Sequence, residues 1–88
     1  MESQKEWFDN LYLQCSPKMV SIAVRAGLTV EEAEEITQDV FLLFMVKAPA
    51  IRKQNSSPTA YLSATLRNLL GDALRRRRRE GSRREMLE

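Results

Sequence analysis

The chain has 88 residues, 43% of them apolar, and a net charge of +2, which confines it to one small domain with a net stability of roughly 3 to 5 kcal/mol. No apolar run approaches the roughly 18 residues of a membrane span, the start MESQKEW lacks the basic-then-apolar order of a secretory signal, and a single cysteine, Cys15, excludes an internal disulfide. The expectation is a soluble, cytoplasmic protein. With no histidine and no phosphate-cradling glycine loop, neither an enzyme nor a metal or cofactor is expected, and lone Cys15 reads as a small apolar group.

Residues 4–15 read as a helix with Trp7, Phe8, Leu11 and Tyr12 on one side. Ser16-Pro17 is expected to interrupt it, with Ser16 capping a new or kinked segment that begins at Pro17, because proline lacks the N–H that a helix interior needs and suits a first turn. The next segment carries Met19, Ile22, Ala23 and Ala26 on its apolar face, and Gly27 is its natural left-handed stop. A very short turn then predicts antiparallel packing against the stretch TVEEAEEITQDVFLLFMVK from Thr29 to Lys47.

That stretch carries the strongest local signal. Thr29 and Glu32 form a capping box, flanked by Leu28 and Ala33 as a hydrophobic staple. Glu31, Glu32, Glu34 and Glu35 crowd the first turns, where the helix dipole favours negative charge. Val30, Ala33, Ile36, Val40, Leu43 and Phe44 repeat at the spacing of a buried stripe, and Pro49 is expected to end the helix. Glu35, Gln38, Asp39 and Leu42, spaced by three, four and seven, form an outward patch that is acidic with an aliphatic centre.

A polar connection of about ten residues follows within KAPAIRKQNSSPTA, a surface connector or a binding loop. Its RKQNSS segment, Arg52 to Ser57, sets amides and hydroxyls beside basic groups ahead of Tyr61, which suits an unstacked base; Tyr61 serves equally as a core-edge aromatic. Ser57-Pro58 starts a last helix whose buried stripe is Leu62, Thr65, Leu66, Leu69, Ala73 and Leu74. Gly71 weakens it by about 1 kcal/mol relative to alanine unless something approaches its backbone. After the unbroken run Arg75 to Arg79, residues 81–88 read as a frayed tail, and Leu87-Glu88 resemble the join left by an appended tag.

Charge divides the chain. Residues 1–46 hold three basic and eight acidic side chains, a net of −5, and residues 47–88 hold eleven and four, a net of +7. Two partners of opposite character are implied, one a polyanion. The arginine run admits a solvated helix end, phosphate binding, or an anionic membrane surface. Dipole compensation accounts for two or three arginines rather than five, and no apolar face is left to insert into lipid, which favours phosphate. The alternative is a helical protein–protein adaptor with a basic solubilising tail and no specific nucleic-acid role.

Two strings resemble one family. AEEITQDVFL at 33–42 is similar to the second-helix signature of extracytoplasmic-function (ECF) sigma factors, and YLSATLRNLLGDALRRRRR at 61–79 resembles that family's promoter-reading helix. FDNLYLQCSPKMVSIAVRAG is similar to its first helical segment. The resemblance implies an all-α, compact bundle of three to four helices over residues 1–80, sigma domain 2-like, in a transcription initiation factor. It implies docking of Glu35, Gln38, Asp39 and Leu42 on the β′ clamp helices of core RNA polymerase. It further implies that Arg52, Lys53, Gln54, Asn55, Ser56, Tyr61, Arg67, Asn68, Arg75, Arg76 and Arg79 melt the minus-10 promoter element and hold its non-template strand. An anti-sigma factor is a further possible partner. Tyr61 stands where the family more often has tryptophan, and Thr65-Leu66 replaces the usual aliphatic-Ala pair. The family's helix-turn-helix, which reads the minus-35 element, does not follow, so the chain is expected to be an excised domain.

Overall fold

In the computed structural model, which describes the backbone of residues 1–87 and the side chains of residues 1–81, helix α1 runs from Gln4 to Arg25. Ser3 caps it, its hydroxyl accepting the Glu6 N–H at 3.1 Å. The break expected at Ser16-Pro17 does not occur: α1 is continuous through Pro17. The carbonyl that Pro17 leaves without a partner belongs to Leu13, and both residues are exposed, so water can satisfy it. Leu11, Cys15 and Met19 meanwhile pack on the inner side of both halves and hold them in line.

The stop at Gly27 is as expected. Gly27 has φ +118°, its N–H donates to the Val24 carbonyl, and the Leu28 N–H reaches the Ala23 carbonyl at 3.1 Å. This is a Schellman closure, completed by the contact of buried Leu28 with Ala23. Helix α2 (Val30–Lys53) then starts from the expected capping box: the Glu32 N–H donates to Thr29 Oγ1 at 3.1 Å and the Thr29 N–H to Glu32 Oε1 at 2.9 Å.

Two expectations for α2 fail. Pro49 does not end it; the bereft carbonyl is that of exposed Met45, while Ala48 and Ile51 pack inward on either side of the proline. The buried stripe is Ala33, Thr37, Val40, Phe41, Phe44 and Ala48, whereas Val30 and Leu43 are exposed, Leu43 at 48%. Packing of rings sets this phase. Phe44 meets Trp7, Phe8, Phe41 and Tyr61 at centroid distances of 5.7, 5.6, 6.2 and 5.8 Å, and Phe41 also meets Tyr12 at 4.9 Å. Thr37 tolerates burial because its hydroxyl donates to the Ala33 carbonyl at 2.8 Å.

α2 closes with a second Schellman arrangement. Asn55 takes the left-handed conformation (φ 55°), and the Asn55 and Ser56 N–H groups donate to the Arg52 and Ile51 carbonyls. The long connector expected here is therefore only Gln54 to Ser57. Helix α3 (Pro58–Leu87) starts as expected, with Ser57 Oγ accepting the Ala60 N–H at 3.2 Å. Leu62, Leu66 and Leu70 are buried, and Thr65, Leu69, Ala73 and Leu74 are half-buried. α3 continues to Leu87, and Glu88 lies outside the described residues.

The result is the expected all-α bundle, with three helices, in which α2 packs on both neighbours while α1 and α3 barely meet. At 1.5 Å per residue α3 is about 45 Å long. It runs past the α1–α2 turn and draws the molecule out to 60 × 20 × 15 Å.

Candidate nucleic-acid and partner interface

The outward side of α2 faces away from the core, so Glu35, Gln38, Asp39 and Leu42 are all exposed, Leu42 at 60%. Met45 and Val46 (78% exposed) extend this face without having been expected from the sequence; their spacing of three and four from Leu42 is the signal that marks them. The face is thus acidic toward the N-terminus of α2 and apolar toward its C-terminus. On one flank Gln38 and Leu42 border an apolar crease formed with Phe8, Tyr12, Phe41 and Met45. On the other flank Glu35 and Asp39 share a cleft of about 280 Å³ with Arg76, Arg77 and Glu80 of α3. The acidic patch and the arginine run are therefore neighbours across one seam.

Arg52 is committed to the fold. Its guanidinium lies 5.7 Å from the Trp7 ring centroid, donates to Gln4 Oε1 at 3.2 Å and also donates to the Glu2 carbonyl. It ties the start of α1 to the end of α2. Lys53, Gln54, Asn55 and Ser56 are exposed, and the backbone of Asn55 makes the left-handed helix stop. Tyr61 is half-buried against Phe44, at the edge of the core.

On α3, Tyr61, Asn68, Arg75 and Arg79 fall at spacings of seven, seven and four and so share one stripe. Arg67 is exposed on a different side, at the edge of the groove between α1 and α3. Arg76 turns toward the acids of α2. Arg75 pairs with Asp72, an exposed pair that contributes little to stability. The same guanidinium is what approaches Gly71: a Cβ there would lie 3.5 Å from it, an ordinary contact.

Arg77 mirrors Arg52 at the other end of the bundle. It pairs with Glu32 and donates to the Gly27 carbonyl, fastening α3 to the α1–α2 turn. The Thr29 N–H, and after it the Arg77 side chain, hold the Glu32 carboxyl below its ordinary value of 4.5. Among the described residues, Arg76, Arg78 and Arg79 have no carboxylate within ion-pair distance, and no group of three potential metal ligands occurs. Among the described residues, no helix is long and apolar enough to cross a membrane.

Residues 11–80 match the family model described as Sigma-70 region 2. Searches among curated proteins and among solved structures gave no match. The matched span takes in most of α1, all of α2, and α3 through the arginine run, so it includes the outward α2 face and the cationic stripe together. With this three-helix bundle as its fold, the chain belongs to the Sigma-70 region 2 family of transcription factors.

Proposed function

We propose that the chain is the domain 2 module of an ECF-type sigma factor, which docks on core RNA polymerase and engages the minus-10 promoter element. The observation that carries this reading is the placement of two exposed surfaces of opposite character on adjacent helices, both inside the matched span. Glu35, Gln38, Asp39 and Leu42 form the docking face for the β′ clamp helices, with Met45 and Val46 extending its apolar end. A face acidic at one end and aliphatic at the other suits a helical partner that carries basic groups beside an apolar stripe, because burial supplies affinity and charge supplies orientation.

The DNA surface is the stripe of α3 together with the loop before it. Arg67, Arg75, Arg76, Arg78 and Arg79 act on phosphates, and Asn68, Lys53, Gln54, Asn55 and Ser56 offer polar edges to an extruded base of the non-template strand. Tyr61 contributes the exposed edge of a ring whose inner face is packed on Phe44, and Arg52 acts indirectly, by holding the loop. Gln38→Ala with Asp39→Ala is expected to abolish binding to a β′ clamp-helix fragment while the far-ultraviolet circular dichroism stays native. Unchanged affinity would remove the docking role.

A further inference from the structure

α2 buries itself against both other helices, but the seam between α1 and α3 stays open. A groove of about 620 Å³ runs along it. Its floor is apolar, formed by Met19, Leu62, Leu66 and Leu70, and Ile22 stands on its wall with 51% of its surface exposed. Lys18 from α1 and Arg67 from α3 line its edges, both exposed and, among the described residues, without a carboxylate partner. The other polar lining groups are uncharged and no carboxylate lines the groove, in a chain that carries 12 acidic residues.

We propose that this groove docks an acidic amphipathic helix of a partner protein. The α3 residues that line it, from Thr59 to Leu70, span roughly 16 Å at 1.5 Å per residue, about three turns of a helix laid alongside. A helix placed there sets leucine-like residues on the apolar floor and completes a four-helix arrangement around the existing core. The two unpaired cations select carboxylates on its flanks and repel lysines. Single-stranded nucleic acid fits less well: no aromatic ring lines the groove for a base to stack on, and two cations are too few to follow a phosphate backbone. The inference does not rest on promoter binding, although Arg67 is common to both, so a helix seated here covers a side chain expected at the DNA.

The test is fluorescence anisotropy on the full chain with labelled helical peptides about 16 residues long. They carry leucines at every third or fourth position in several registers, with glutamate flanks or, as controls, lysine flanks. At least one glutamate-flanked peptide is expected to bind about tenfold or more tighter than its lysine-flanked counterpart. Lys18→Glu with Arg67→Glu is expected to invert that preference, and Ile22→Asp to weaken the tight peptide by about tenfold or more. All three positions are exposed, so the thermal midpoint should not move. Equal binding of both flank types, a preference that the charge reversal leaves in place, or no saturable binding by any register overturns the proposal. Amide signals that shift around Leu42 to Val46 rather than around Ile22 and Ser63 overturn it too. Self-association abolished by Ile22→Asp, or groove signals perturbed by an oligonucleotide instead of a peptide, would assign the groove to another occupant. If peptide binds as expected while minus-10 DNA does not, only the promoter reading falls.

Discussion

Both ends of the bundle are closed by an arginine, and the ends differ in what is left over. At one end Arg52 joins the start of α1 to the close of α2 through Trp7, Gln4 and Glu2. At the other, Arg77 joins α3 to the α1–α2 turn through Glu32 and Gly27. Beyond Arg52 the exposed groups are one cation, Lys53, and short polar side chains. Around Arg77 stand Arg76, Arg78 and Arg79, which no carboxylate holds among the described residues. A basic stretch is therefore a mixture: one side chain serves the fold, and its sequence neighbours are available to a ligand.

The largest expected effect removes the comparison altogether. Phe44 touches four other rings between the two ends, and Phe44→Ala should cost about 3 to 5 kcal/mol, equal to the whole stability expected of so small a domain. Urea titration should find that variant largely unfolded. A native-like transition would mean that the ends are held independently of the aromatic centre.

A smaller effect isolates one end. Gly71→Ala lies on α3 between the core and Arg77, and its Cβ would make only an ordinary contact with the Arg75 guanidinium. It should stabilise the chain by about 0.5 to 1 kcal/mol in thermal or urea unfolding. A loss instead would show that the Arg75 guanidinium needs that gap.

The smallest effect depends on pH. Glu32 titrates below its ordinary 4.5 in the folded chain, so its charge adds stability above that pH and loses it as pH falls through the lowered value. Glu32→Gln keeps the capping geometry but not the charge that Arg77 meets. The wild-type chain should melt slightly above the variant at neutral pH, and the gap should close in acid. A gap that persists in acid would show that the benefit does not come from the carboxylate charge.

Local signals carried much of the fold. Thr29 with Glu32, Gly27, and Ser57-Pro58 are each read from neighbours within a turn, and each does in the structure what its chemistry dictates. The two prolines misled, because whether a helix survives Pro17 or Pro49 depends on whether the abandoned carbonyl faces water, which is a tertiary fact. The α2 stripe slipped in phase because VFLLFMV offers apolar groups on every side, and only the rings of α1 select Phe41 over Leu43. Asn55 was readable as polar but not as a left-handed stop.

For the site, spacing alone placed Glu35, Gln38, Asp39 and Leu42 on one exposed face. The roles of Arg52 and Arg77 were not legible, since their partners lie 45 to 50 residues away in the chain. Burial of Tyr61 against Phe44 is likewise a consequence of how α2 and α3 meet.

The division of the arginines is tested most directly by the salt dependence of binding to single-stranded minus-10 DNA. Replacing Arg76, Arg78 and Arg79 by alanine should lower the slope of log affinity against log salt by about 2, at roughly 0.7 per phosphate contact, and leave the thermal midpoint unchanged. Replacing Arg52 and Arg77 should do the reverse, lowering the midpoint while the slope holds. Equal loss of slope in the two variants, or no loss in the first, would contradict the account.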